Sequence, residues 1–122
     1  MLDAKESALL LLRLIESKET ESGRALSRFR VAEISLRRIW GRQRITPEYV
    51  GDVNEWLARA GRTLFFAGNS YGVIMTSAVE SWSRLSSKRI AQEIKEVLAG
   101  AYDFATLEQL LITKDEGFEE DG

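Results

Sequence analysis

The sequence predicts a mainly α-helical fold with one small β-hairpin, which belongs to the α+β class. Three observations carry this prediction: apolar residues at helical spacing near the N-terminus, a cap-and-proline signal at Thr46–Pro47, and a turn-rich stretch between two β-prone runs after Gly61. The chain has 122 residues, and residues 1–112 suit a single domain. The last stretch, 113–122, holds five acids and one lysine and is predicted to be a disordered tail.

The first predicted element is a helix over Asp3–Glu19. Ala8, Leu11, Leu12 and Ile15 recur at helical spacing, and the run from Ala8 to Ile15 contains only one residue that is not apolar. A helix this apolar is expected to be buried on more than one side, against the domain core or against a second copy of the chain. The sequence therefore leaves open a homodimer through the N-terminal helix.

The second segment, Arg24–Arg42, combines arginines with regularly placed apolar residues. Two short helices with a tight turn near Arg30–Glu33 are one interpretation, and a short strand followed by a helix is the other. The third element is clearer, because Thr46 can cap a helix and Pro47, the only proline, suits the first helical position. We predict a helix over Pro47–Ala60, ended by Gly61.

The rest of the chain predicts a hairpin and two further helices. Thr63–Phe66 and Val73–Thr76 are β-prone, and the intervening stretch 68–72 is rich in turn residues. Helices are expected over Ser87–Leu98 and Phe104–Leu111, with Asp103 as the cap of the second. The three tryptophans, all expected in the core, are Trp40, Trp56 and Trp82.

The charge distribution points to a phosphate-binding surface. Between Arg24 and Arg44 the chain has seven arginines and one acid, a local net charge of +6, whereas its overall net charge is -2. Clustered arginine on one element is typical of a nucleic-acid-binding surface. A second basic group, Arg84, Lys88 and Arg89, lies beside a predicted helix start, where anions are favoured.

Two stretches resemble the winged helix-turn-helix superfamily of DNA-binding proteins. Residues 26–39 are similar to the pattern in which a small apolar helix turns into a second helix carrying Leu-Arg-Arg, although Arg30 stands where such proteins often have glycine. Residues 53–65 are similar to the recognition helix, glycine and first wing strand of many bacterial regulators. The resemblance implies a winged helix-turn-helix with additional C-terminal helices.

The same resemblance implies double-stranded DNA as the partner, with the chain acting as a bacterial-type transcriptional regulator or a mobile-element accessory factor. The residues expected to contact DNA are Arg28, Arg30, Arg37, Arg38, Arg42, Arg44, Lys88 and Arg89, with Asn69, Ser70 and Tyr71 at the tip of the wing. The recognition helix is either Ala32–Arg42 or Pro47–Ala60. The hairpin position favours the second, and charge favours the first, because Pro47–Ala60 exposes mainly acids.

Other interpretations of the charged residues stay open. The arginines are alternatively a solvated face or partners for acids elsewhere in the chain, including the tail. The acidic face Glu48, Asp52 and Glu55 favours a second function, a protein–protein interaction module on a winged-helix scaffold.

The composition argues against catalysis and against membrane insertion. The chain has no cysteine and no histidine, so thiol nucleophiles, Ser–His–Asp triads and the usual zinc sites are excluded. We therefore expect neither an enzyme nor a cofactor. The longest apolar run is far shorter than the ~20 residues that span a bilayer, so we expect a cytoplasmic protein without a signal peptide.

Overall fold

The computed structural model describes residues 1–112, and the predicted tail lies outside the described residues. The chain divides into two compact units, Met1–Ser83 and a second that begins at Arg84. Within the described range, no helix has the length and apolarity needed to cross a membrane.

The first unit is a mixed α+β structure, as the sequence predicts. Its helices and strands are, in chain order, α1 (Ala4–Ser22), β1 (Arg28–Ala32), α2 (Glu33–Trp40), α3 (Pro47–Leu57), β2 (Arg62–Phe66) and β3 (Ser70–Met75). The three strands form one antiparallel sheet in the order β1-β3-β2, so β3 is central and β1 and β2 are the edges.

Helix α1 begins with a capping box. The Glu6 backbone N–H donates to Asp3 Oδ1 at 2.8 Å, and the Asp3 N–H donates to Glu6 Oε1 at 3.0 Å, which satisfies two otherwise unpaired donors. The helix runs to Ser22 and ends where Gly23 adopts a left-handed conformation. Its buried stripe includes Ala8, Leu11 and Ile15, whereas Leu9, Leu10 and Leu14 of the same run are exposed.

The second segment is a strand followed directly by a helix. Strand β1 alternates exposed arginines with half-buried Phe29 and Val31, and it pairs along its whole length with β3. The interpretation as two short helices is therefore wrong. The period-2 alternation of apolar side chains is satisfied on the sheet, where both of these residues pack against the core.

Helix α3 starts as predicted, with Thr46 Oγ1 accepting from the Tyr49 N–H at 3.1 Å and Pro47 in the first turn. The α-helical part ends at Leu57. A 3-10 turn over Ala58–Ala60 then leads to Gly61, whose φ of 71° is left-handed. The predicted span is thus helical throughout but changes type in its last turn.

The predicted hairpin is present, with a shorter connection than expected. Ala67, Gly68 and Asn69 join β2 to β3, so Ser70 and Tyr71 belong to the strand and not to the tip. Gly72 in β3 faces Phe65 across the sheet, and the Phe65 ring lies where a Cβ at position 72 would be. A side chain at position 72 would therefore have to displace the Phe65 ring.

The core of the first unit lies between the helices and one face of the sheet. Trp40 is fully buried, its indole N–H donates to the Ser7 carbonyl at 3.0 Å, and its ring meets Tyr49 edge to face at 5.6 Å. Trp56 is half-buried against this core. The prediction that Trp82 is buried is wrong, because 57% of it is exposed after a 3-10 segment that leaves the sheet.

The second unit contains short helical pieces. The predicted helix Ser87–Leu98 is split into a 3-10 turn, Ser87–Ile90, and helix α4, Ala91–Leu98. Phe104–Leu111 is helical as predicted but of the 3-10 type, with Asp103 Oδ1 accepting from the Ala105 N–H at 3.1 Å. Many apolar side chains of this unit are exposed, including Ile90, Leu98 and Leu107.

Candidate nucleic-acid interface

The arginine-rich segment folds into β1, α2 and the loop that leads to α3. On β1, Arg28 and Arg30 alternate with the inward-facing Phe29 and Val31, so both arginines lie on the outer face of the sheet and are exposed. On α2, the buried stripe is Leu36 and Trp40, which leaves Arg38 on the free face. We call Arg28, Arg30, Arg37, Arg38, Arg42 and Arg44 the arginine surface.

Three of these arginines border a shallow concavity on the outside of α2. The concavity has a volume of about 490 Å³, and its lining residues are Ile34, Arg37, Arg38, Arg42 and Gln43. Arg37 is held in place: its Nη1 donates to the Gln43 carbonyl at 3.3 Å and its Nε lies 3.7 Å from Glu33 Oε2. Arg37 therefore joins α2 to the following loop, besides contributing charge.

Arg42 is held by an aromatic ring. Its guanidinium carbon lies 3.4 Å from the centre of the Tyr49 ring, within the range of a cation–π contact. The Tyr49 hydroxyl shares a hydrogen bond with Ser7 Oγ, so this stack is connected to α1. A pre-ordered, half-buried guanidinium loses less conformational freedom on meeting an anion than a free one does.

The remaining arginines of this surface are free. Within the described part of the chain, Arg28, Arg30, Arg38 and Arg44 are exposed and have no ion pair or side-chain hydrogen bond. The interpretation that the arginines serve as partners for acids therefore applies, among described residues, only to Arg37. The exposed cations leave a strong positive field available to an external anion.

The alternative recognition helix, α3, has a different character. Glu48, Asp52 and Glu55 lie exposed along its free side, and no described basic residue pairs with them. Arg59, in the turn that follows, stacks on the half-buried Trp56 ring at 4.3 Å. The free side of α3 is therefore an acidic surface beside the Trp56 ring. Its negative charge repels phosphates.

Of the three residues predicted at the tip of the wing, only Asn69 lies in the turn between β2 and β3. Asn69 is exposed in the turn, Ser70 is half-buried in β3, and Tyr71 is only 4% exposed. The expectation of an exposed Tyr71 is wrong because its ring faces the core side of β3 and packs edge to face on Phe66 at 5.2 Å. Burial raises the pKa of the Tyr71 hydroxyl, and the negative charge of Glu33 adds to the effect.

Lys88 and Arg89 lie exposed in the 3-10 turn at the start of the second unit's helical segment. Ser86 Oγ accepts from the Lys88 N–H at 3.3 Å, so one of the backbone donors expected to face an anion is already used. The turn has four residues, fewer than a helix needs to build an appreciable dipole.

Sequence reasoning missed two polar contacts that position the sheet. Arg62 is almost fully buried and pairs with Glu19 at 3.2 Å, and Asn54 bonds both backbone groups of Leu64. The signal for Arg62 was its strand parity, because it alternates in step with the core residue Leu64. No comparable local signal marks Asn54, whose partner lies on another element.

Comparison with known proteins returned no relative: no protein-family model, no curated protein and no solved structure matches this chain.

Proposed function

We propose that this protein binds double-stranded DNA through the arginine surface. The observation that carries the proposal is the group of exposed arginines, Arg28, Arg30, Arg38 and Arg44, that have no partner among the described residues. They stand on a chain whose net charge is -2, so the positive charge is concentrated in one region. DNA carries one negative charge per ~1.7 Å of its axis, and every phosphate neutralised releases counterions.

The element order supports a winged helix-turn-helix as the scaffold. Three helices are followed directly by a hairpin, and β1 completes a small sheet with the two hairpin strands. The resemblance of residues 53–65 implies this order of helix, glycine and hairpin, whereas residues 28–32 form a strand where the pattern of residues 26–39 has a helix. On this proposal the hairpin is the wing and Asn69 is its exposed tip.

Charge decides which surface meets the duplex in this proposal. The acids of α3 favour its free side facing away from phosphates, whereas α2 and β1 present arginines. Arg38 and Arg44 are assigned to direct phosphate or guanine contacts, because their exposed side chains have no partner among the described residues. Arg37 and Arg42 are assigned mainly to holding the shape of the surface, because each is already engaged.

The test is a fluorescence-anisotropy titration of the full chain with mixed-sequence duplex DNA at about 50 and 200 mM salt, the range in which phosphate-driven affinity changes steeply. The double variant Arg38→Ala, Arg44→Ala is expected to bind at least about tenfold more weakly. Its salt dependence should be shallower by about two units of slope, since each lost phosphate contact removes about 0.9. These two positions avoid Arg37, whose loss would also disturb the loop.

The matched control is the double variant Arg13→Ala, Lys18→Ala. It removes the same amount of charge from exposed positions on α1, where each cation already faces an acid one turn away. It is expected to keep nearly all the affinity. An equal loss of DNA affinity in both double variants would show that only the net charge of the protein matters. Full affinity without Arg38 and Arg44 would contradict the proposed surface.

The biological role in this proposal is that of a cytoplasmic transcriptional regulator or mobile-element accessory factor. A homodimer through α1 would present two arginine surfaces to two half-sites. Its support is the exposure of Leu9, which borders a concavity with Leu12 and Trp56 between α1 and α3. A monomeric mass in sedimentation at micromolar concentration would remove the dimer from the proposal.

A second candidate function is a protein-interaction module, and the acidic side of α3 is the observation that favours it. Glu48, Asp52 and Glu55 are exposed and unpaired among the described residues. A partner captured by the wild type and by the Arg38, Arg44 variant, but lost when the three acids are changed to their amides, would favour this function. Loss with the arginine changes alone would count against it.

A further inference from the structure

One edge of the sheet has unused backbone groups. In the antiparallel pairing of β1 with β3, the Ser27 carbonyl accepts from the Met75 N–H at 2.8 Å. Hydrogen-bonded pairs alternate along such a ladder, so Phe29 and Val31 are the residues that bond to β3. The N–H and C=O groups of Arg28 and Arg30 therefore point away from the sheet.

The opposite edge is blocked at its middle residue, Leu64. On β2, the outward-pointing backbone of Leu64 is bonded by Asn54 of α3: the amide Nδ2 donates to the Leu64 carbonyl at 2.8 Å, and Oδ1 accepts from the Leu64 N–H at 2.7 Å. No described residue makes an equivalent contact with Arg28 or Arg30. The fold thus covers one edge with a dedicated side chain and leaves the other available for an added strand.

An apolar groove runs along the open edge. It has a volume of about 220 Å³ and lies between α1 and β1, with Leu14 and Ile15 on one side and Phe29 and Val31 on the other. Leu14 is exposed there. A strand added to β1 would turn every second side chain toward this groove and the alternate ones toward the outer face of the sheet.

The outer face at this edge is basic. Arg28 and Arg30 both project there and are unpaired among the described residues. A second copy of β1 is a poor occupant, because a two-fold antiparallel pairing through these two residues would place arginines opposite or diagonal to arginines. Like charges in cross-strand positions are destabilising, whereas opposite charges stabilise.

We propose that the β1 edge binds an extended acidic segment of a partner protein by strand addition. The segment would alternate apolar residues, which fill the groove beside Leu14, with Asp or Glu residues, which pair with Arg28 and Arg30. Its backbone would bond the free N–H and C=O groups of the same two arginines, as in other cases of strand addition. Peptide binding is tested separately from DNA binding and does not depend on it, although both ligands would contact Arg28 and Arg30.

The experiment uses the full chain and a blocked synthetic peptide of alternating valine and glutamate, followed by NMR and amide hydrogen exchange. At a peptide concentration of about ten times its Kd, exchange of the Arg28 and Arg30 amides should slow about tenfold. The peptide of alternating valine and lysine should leave these amides unprotected. No slowing at millimolar glutamate peptide, or equal slowing by both peptides, would overturn the proposal.

Two variants separate the charge from the groove. Arg28→Glu, Arg30→Glu should bind the glutamate peptide about tenfold more weakly and should now bind the lysine peptide, since each cross-strand pair is reversed. Leu14→Asp should weaken binding of the glutamate peptide severalfold. Leu10→Asp, an equally polar change at an exposed leucine of α1 outside this groove, should leave peptide binding unchanged.

Two outcomes would contradict the assignment of the surface. Equal weakening by the Leu14 and Leu10 variants would show that the groove is not the contact. Protection of the Arg28 and Arg30 amides that rises with protein concentration in the absence of peptide would identify the occupant as a second copy of this chain.

Discussion

The buried ion pair between Glu19 and Arg62 is the contact whose loss should be most informative about the first unit. Glu19 Oε2 lies 3.2 Å from Arg62 Nη2 and also accepts from the Leu26 N–H at 2.8 Å. Arg62 Nη1 donates to the Leu26 carbonyl at 3.1 Å. The pair therefore connects the end of α1, the loop before β1 and the start of β2. We predict that Glu19→Ala destabilises the protein more than Arg62→Met does.

The expected magnitudes follow from burial. The Arg62 side chain is 8% exposed and that of Glu19 is 24% exposed. Removing one partner of a fully buried pair costs about 3–5 kcal/mol. Because water partly reaches Glu19, we expect a cost of about 3 kcal/mol for Glu19→Ala. In Arg62→Met the remaining carboxylate is better hydrated and still bonds Leu26, so the cost is about 1–2 kcal/mol.

Urea unfolding monitored by fluorescence and by circular dichroism measures both costs. The matched control is Glu21→Ala, which removes an acid from the same helix where the side chain is 75% exposed and, among the described residues, pairs only with Lys18. This control should change the free energy of unfolding by less than about 0.5 kcal/mol. If Glu19→Ala behaved like the control, or if Arg62→Met proved the more damaging change, the reasoning from unequal burial would be refuted.

Two further predictions concern the sheet. Asn54→Ala should cost about 2 kcal/mol in urea unfolding, because both backbone groups of Leu64 lose their partner; a cost below about 0.5 kcal/mol would show that water replaces the amide. The pKa of Tyr71 is raised in the folded state, so its contribution to stability is complete below about pH 10 and is lost as the pH rises above that value. Tyr71→Phe should therefore lose less stability than the wild type between about pH 9 and 11, and identical losses would contradict the assignment.

Local signals in the sequence predicted several elements accurately. Thr46 and Pro47 define the start of α3, because the cap bond to Tyr49 and the fixed φ of proline act within one helical turn. The hairpin strands were found in nearly the right place for a similar reason, since turn residues and β-branched residues express local preferences. The α+β class followed from these elements together.

The same local rules failed where pairing over a distance decides the conformation. A strand was one of two interpretations for the segment that forms β1. The strand forms because it pairs with β3, and α2, α3 and β2 lie between the two strands in sequence. The hairpin tip was too long in the prediction because pairing with β1 extends β3 back to Ser70 and pairing with β2 extends it back to Tyr71. Tyr71 consequently changed from an expected contact residue to a buried one.

For the candidate site, the charge could be read from the sequence, because arginine is cationic wherever it lies and the count between Arg24 and Arg44 is a property of composition. Tertiary structure alone decided which of these cations are free. Arg37 and Arg42 find partners in Gln43 and Tyr49 only after the loop between α2 and α3 closes. The physical reason is range: caps, periodicity and charge act over a few residues, whereas side-chain pairing and strand register need distant segments brought into contact.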